Sequence, residues 1–134
     1  MTRTYLMIKP EAVRAQVFPD ILRLLVANRF TVERLEMRRL TPELARRFYA
    51  EHEGKGFFAD LVRYITSGPV IAVQLAAEDA VPRLRELVGK TNPKDAVPGT
   101  LRYMFGTSLQ ENAVHASDSP ESASRELGIV FPEA

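Results

Sequence analysis

The chain contains no cysteine, which excludes disulfides, thiolate catalysis and zinc held by thiolates. That absence also suits a reducing compartment. Net charge is nearly absent: 18 lysines and arginines stand against 17 aspartates and glutamates, leaving +1. A broad nucleic-acid-binding face normally carries a larger basic excess. Any anion site must therefore be built from a few placed cations and backbone amides. There is no long apolar run. The stretch from Tyr5 to Ile8 ends at Lys9-Pro10, too short for a signal-peptide core, and no later segment is long enough to span a bilayer. These features predict a cytoplasmic protein with no membrane partner and no specific nucleic-acid partner. No compact cluster of carboxylates offers itself to a metal ion, and no repeat of solenoid period is present.

What is present is the composition of a globular protein, 46% hydrophobic and 26% charged over 134 residues. That length fits one domain, residues 1–134, with order expected in all but the last few residues. Thr4 to Ile8 reads as a short buried strand. Lys9-Pro10-Glu11 opens a helix, and Pro19-Asp20 gives a second start signal for a helix reaching about Asn28. Phe30 to Leu40 alternates imperfectly: Phe30 and Val32 share one parity, Leu35 and Met37 the other, which predicts a bulge or twist. Thr41-Pro42-Glu43 starts a helix expected to reach about His52, and Phe58, Leu61, Val62 and Ile65 mark another. Val70 to Leu75 reads as a central strand buried on both faces. A helix from about Asp79 to Gly89, a long loop from Thr91 to Thr100, a strand near Val114 and a last helix from Ser119 to about Gly128 complete the order. The pattern predicts an α/β fold, a ferredoxin-like split βαβ sandwich with an antiparallel sheet covered by helices. Such a fold names no function by itself.

Chemistry is concentrated near one of the two histidines. His52 follows Glu51 at the end of a polar helix and reads as a solvated side chain. His115 lies in Asn112-Ala113-Val114-His115-Ala116-Ser117-Asp118-Ser119, after a predicted strand and before a helix cap. A strand-to-helix junction presents a side chain beside backbone amides that favour anions. A neutral imidazole there can attack phosphorus if neighbours fix its tautomer. Spacing alone leaves a catalytic and a structural His115 equally open. His115, Ser117 and Asp118 do not read as a hydrolase triad, whose members usually come from separate elements, and no Gly-x-Ser-x-Gly elbow is present. Gly89-Lys90-Thr91 mimics the end of a P-loop, but Leu84 occupies the position that needs glycine.

The stretch from Asn112 to Ser119 resembles the active-site signature of nucleoside diphosphate kinases, Asn-x-x-His-x-Ser-Asp. Other blocks follow in the family's order across the whole chain: Met7-Ile8-Lys9-Pro10-Glu11, Phe48-Tyr49-Ala50-Glu51-His52 with Phe57-Phe58, Ser67-Gly68-Pro69-Val70, Gly89-x-Thr91-Asn92-Pro93, and Pro98-Gly99-Thr100-Leu101-Arg102. The resemblance implies a ping-pong phosphotransferase. His115 would take the γ-phosphoryl of a nucleoside triphosphate and give it to a diphosphate. It further implies that Ser117 and Glu126 position the imidazole, while Lys9, Tyr49 and Arg102 surround the moving phosphoryl group. Arg85 and Thr91 would hold the α- and β-phosphates, and Asn112 with Lys9 the sugar hydroxyls. Phe57 would stack on the base, flanked by Leu61 and Leu109; by spacing alone Phe57 and Leu61 read as core. Mg2+ would arrive with the nucleotide phosphates, with no metal ligand from the protein, and a homo-oligomer, hexamer or tetramer, is expected. Broad base and sugar specificity follows from stacking.

The chain departs from the family pattern in places. Glu11-Ala12 replaces Asp-Gly, Ala15-Gln16 and Pro19 stand where Arg-Gly and a later glycine are common, Tyr103-Met104 replaces Gly-Asp, Ala76-Ala77 replaces Glu-Gly, and Ala116 follows the histidine in place of glycine. Positions of this kind are strained wherever they require positive φ. Two other readings of the residues are a catalytically silent nucleotide-binding relative and a nucleic-acid binder, the latter disfavoured by the small net charge.

Overall fold

A computed structural model describes residues 1–132; the expectation for the extreme C-terminus falls partly on 133–134, outside the described residues. The elements are β1 (Thr2–Ile8), α1 (Pro10–Arg14), α2 (Phe18–Ala27), β2 (Thr31–Arg38), α3 (Pro42–Phe48), α4 (Phe58–Ile65), β3 (Val70–Ala77), α5 (Ala80–Val88), α6 (Leu101–Phe105), β4 (Val114–Ala116) and α7 (Pro120–Val130), with single 3₁₀ turns at Ala50–His52 and Pro93–Asp95. The four strands lie in the order β2-β3-β1-β4, and every neighbouring pair is antiparallel. This is the expected split βαβ arrangement.

The two central strands divide the apolar residues between two cores. On one face Leu6, Ile8, Ile71, Val73 and Leu75 meet Ile21, Leu25, Leu84 and Val88 from α2 and α5. On the other, Tyr5, Met7, Val70 and Ala72 meet Phe48, Ile65 and Val130 from α3, α4 and α7. Period-two alternation sends successive side chains to opposite faces, so a strand covered on both sides must be apolar throughout. β3 is buried at every position, as its sequence predicts.

Edge strand β2 has the predicted irregularity. Its register against β3 shifts between Val32 and Arg34, leaving Glu33 as the extra residue. Glu33 accepts hydrogen bonds from Arg3 Nε at 2.6 Å and Gln74 Nε2 at 2.9 Å. The bulge explains the change of parity. Val32 lies opposite Leu75, Leu35 opposite Val73 and Met37 opposite Ile71, so all three remain on the same face.

Several boundaries differ from expectation. The helix from Thr41 stops at Phe48, not His52, and a 3₁₀ turn follows. The last helix continues through Gly128 to Val130, because Leu127 and Val130 on either side of the glycine pack into the second apolar cluster. The long loop from Thr91 to Thr100 holds a 3₁₀ turn, and the five-residue helix α6 after it is absent from the expected order. Thr100 caps α6 by accepting from Tyr103 N–H, a start signal hidden among Pro98 and Gly99. Among the described residues, no helix is long and apolar enough to cross a membrane.

Candidate active site

His115 is the middle residue of β4, opposite Met7 of β1, and not a residue beyond the strand as expected. Its side chain is 23% exposed. Tyr5 and Phe48 pack around the ring, with centroids 6.0 and 5.1 Å away. His115 Nε2 lies 2.8 Å from Glu126 Oε1, and Ser117 Oγ donates to the same oxygen at 2.7 Å. Ser117 is fully buried and Glu126 is 4% exposed. Glu126 comes from α7, which Ser119 starts by accepting from Ser122 N–H. One buried carboxylate thus orients the imidazole and is itself held by the serine. The structure therefore brings together the three residues expected to form this group.

A second group surrounds Lys9, which follows β1 directly. Lys9 Nζ donates to Asn112 Oδ1 at 2.7 Å and to Gln110 O at 3.2 Å, and Asn112 Nδ2 donates to Thr91 O at 2.9 Å. Burial pushes the Lys9 ammonium down to about 8, with Glu11 opposing and Arg102 adding to the effect. Arg102, on α6, is 5% exposed, and its guanidinium donates to Gly89 O at 3.1 Å and Val114 O at 3.0 Å. Its Nε is buried without a partner among the described residues. Burial and the neighbouring Arg85 push Arg102 down to about 10. Arg85, exposed on α5, donates to Ala116 O at 3.3 Å. Arg85 thus acts on Arg102 and Arg102 on Lys9, and a bound anion would relieve both of the depressed cations. Gly89 has φ +91°, and a Cβ there would lie 2.7 Å from the Thr100 side chain. Only glycine lets α5 end so close to the start of α6.

The remaining candidates lie on and beyond α3. Tyr49 is 9% exposed, and burial, with the Glu126 carboxylate adding, raises its phenol above the usual range. Its ring meets Phe48 edge-on at 5.2 Å and His52 at 6.2 Å; His52 in turn lies 5.3 Å from Phe57. His52 is therefore half-buried between two aromatic rings, a correction to its reading as a solvated residue. Phe57 is 48% exposed and not core, whereas Leu61 packs partly against the second apolar cluster. Leu109 is exposed on the loop between α6 and β4 and joins neither cluster.

Two features of the site escape the sequence. Glu11 looks like a first-turn acid of α1 but reaches across to Ala113 N–H at 2.8 Å. Nothing in the spacing marks Gln110 O as a partner of Lys9. Of the departures, Gln16 takes φ +60° where the family commonly has glycine, so the expected strain is present there. Ala116 lies in extended β4 and Ala12 in α1, and neither is among the positive-φ residues.

Comparison with known proteins identifies the family. The family model described as nucleoside diphosphate kinase matches residues 2–134. The nucleoside diphosphate kinase of Thermus thermophilus is 45% identical, aligned over 98% of this chain and 96% of its own. That of Mycolicibacterium paratuberculosis is 46% identical, with 98% of each chain covered. The crystal structure of the Aquifex aeolicus nucleoside diphosphate kinase superposes with a TM-score of 0.95 at 41% identity, covering 97% of this chain and 94% of that one. A halophilic nucleoside diphosphate kinase from Halobacterium salinarum, solved in complex with CDP, gives 0.94 at 38% identity, over 98% and 88% of the two chains. The chain belongs to the nucleoside diphosphate kinase family and is a phosphotransferase of that family.

Proposed function

We propose that this chain, acting as one domain over residues 1–134, moves the γ-phosphoryl group of a nucleoside triphosphate to a nucleoside diphosphate by a ping-pong route through His115. The observation that carries this reading is the 2.8 Å contact between His115 Nε2 and the Glu126 carboxylate. An ionised carboxylate only accepts, so Nε2 holds the proton and Nδ1 keeps its lone pair. A nucleophile fixed in that tautomer has no proton to lose before it attacks.

In the first half-reaction, Nδ1 bonds to the γ-phosphorus while the bond to the β,γ-bridging oxygen breaks, and the diphosphate leaves with that electron pair. In the second, a terminal β-phosphate oxygen of another diphosphate attacks the phosphohistidine, and the N–P pair returns to Nδ1. The ring gains positive charge while phosphorylated, which the buried Glu126 stabilises; Ser117 holds Glu126 in place. Lys9, Arg102 and Tyr49 would stabilise the charge on the equatorial oxygens in flight. Arg85 and Thr91 would hold the α- and β-phosphates, and Asn112 with Lys9 the sugar hydroxyls. The exposed ring of Phe57 suits stacking, with Leu61 and Leu109 flanking the base. Stacking accepts any base, so broad specificity belongs to the same reading. That the Halobacterium relative was solved in complex with CDP supports nucleotide binding by this chain.

Magnesium fits the phosphates better than the protein. Lys9 Nζ meets only the neutral oxygens of Asn112 and Gln110, and the one nearby carboxylate, Glu11, is taken up by the Ala113 N–H; among the described residues no group of three acidic or histidine side chains could hold a metal ion. The ion would enter on the nucleotide and keep much of its water. Leu35 and Met37, 45% and 55% exposed on edge strand β2, support assembly into a homo-oligomer. The absence of cysteine supports the cytoplasm as its place.

A two-step transfer tests this reading. Protein incubated with unlabelled ATP and magnesium and then freed of nucleotide should turn added labelled ADP into labelled ATP, because only a phosphoenzyme can carry the group across that separation. Nucleotide binding without transfer would instead make the chain a silent binding module.

A further inference from the structure

The approach to β4 contains a turn that phosphate chemistry does not explain. Ala113 is fully buried and has φ +77°, a conformation that residues other than glycine seldom adopt. Val114 N–H donates to Asn112 O at 3.0 Å across it, closing a three-residue γ-turn of the rare, strained hand. Strain of this kind persists only where the surroundings enforce it. The Ala113 carbonyl accepts from Lys9 N–H at 2.9 Å, and the Ala113 N–H donates to Glu11 Oε2 at 2.8 Å.

Glu11 is an unexpected residue to find there. An acid near a site for anionic nucleotides opposes their binding. Its second oxygen is buried with no partner among the described residues. Burial raises its carboxyl above the usual range, while the Ala113 amide and Lys9 pull it down. A charge placed at the start of α1 for the helix dipole alone would be better left in solvent. What its position does provide is an acceptor for a buried N–H that would otherwise have none.

We propose that Glu11 is a positioning residue: its carboxylate clamps the Ala113 peptide in the strained turn. The clamp fixes Asn112 on one side and His115, two residues on, on the other. The catalytic half of this proposal rests on the reading of His115 as the phosphoryl acceptor; the clamp itself can be observed without it.

The test compares the full chain with Glu11→Ala, Glu11→Gln and the double variant Glu11→Ala/Ala113→Gly. Two signals are followed: the Ala113 amide by NMR, and the single-turnover rate of labelling of His115 by γ-labelled ATP. The wild-type Ala113 amide should be strongly downfield and slow to exchange. Glu11→Ala should lose both properties and label His115 about 10- to 100-fold more slowly, the scale of a small misplacement of the reacting atom. Glu11→Gln keeps an acceptor oxygen and should recover most of the rate. Ala113→Gly adopts the turn without strain and should restore part of it to Glu11→Ala, which general loss of stability would not allow. Labelling by Glu11→Ala within twofold of wild type, or an unmoved Ala113 amide, overturns the proposal. Where Glu11→Ala does not fold, Glu11→Gln decides: loss of the charge must shift the Ala113 amide, and an unchanged signal overturns the clamp. A wild-type protein that takes no label defeats the reading of His115, while the amide signals still decide the clamp.

Discussion

Replacing Glu126 with glutamine changes the charge beside His115 and almost nothing else. Glu126 Oε1 accepts from both His115 Nε2 and Ser117 Oγ, at 2.8 and 2.7 Å. The glutamine oxygen can take both bonds, so the tautomer and the ring orientation survive. What is lost is a buried negative charge, 4% exposed, next to a ring that becomes positive when phosphorylated. A hydrogen bond to a charged group contributes about 1.5–3 kcal/mol, roughly twice a neutral one. With both the bond and the developing ring charge affected, the barrier should rise by about 1.5–3 kcal/mol. At about 1.36 kcal/mol per tenfold, labelling of His115 should slow roughly 10- to 150-fold. Rapid-quench transfer from γ-labelled ATP measures this rate directly. Nucleotide affinity should hardly change, because Glu126 faces the imidazole and not the groups around Lys9. A thermal melt close to wild type would confirm that the fold is kept. A labelling rate within threefold of wild type in the folded variant would refute the role given to Glu126. So would a loss confined to nucleotide binding.

Other consequences follow from the same geometry. Lys9, held at about 8, should lose its charge as pH rises through that value, so kcat/KM of the free enzyme should fall there, and Lys9→Met should lack that limb of the profile. Stability should move the other way: an unfolded lysine keeps its proton up to 10.5, the unfolded chain binds more protons between about 8 and 10.5, and denaturant melts should show stability rising across that window. Phe57→Ala should weaken all nucleotides alike by about 1–3 kcal/mol in titrations, with little change in melting, since the ring is 48% exposed. Gln16→Gly should stabilise the fold by about 0.5–1 kcal/mol in chemical denaturation, because φ +60° strains the glutamine more than glycine's extra unfolded-state freedom costs; a destabilised variant would contradict that account.

The sequence disclosed the sheet better than the helices around it. Apolar runs such as Val70 to Leu75 have one stable solution, a strand covered on both faces, and even the parity change in β2 pointed to the bulge at Glu33. Short helices were harder to read. α6 spans only five residues after Pro98-Gly99, and its start depends on a cap from Thr100 that composition does not distinguish from a loop. Within the site, Asn112, His115 and Ser117 share one local motif and were legible together. Glu126 and Lys9 reach them only through the packing of α7 and the β1–β4 pairing, so family resemblance pointed to them where spacing could not. Glu11 was legible only as a helix start, because a contact spanning 102 positions leaves no local pattern.

The measurement closest to the central claim is the chemistry of the phosphoenzyme itself. Protein incubated with γ-labelled ATP and magnesium, freed of nucleotide and examined by phosphorus and nitrogen NMR should carry one acid-labile, alkali-stable phosphate on Nδ1 of His115. Added GDP should remove that phosphate and appear as labelled GTP. A phosphate on Nε2, on another residue, or on none while ATP still binds would contradict the account.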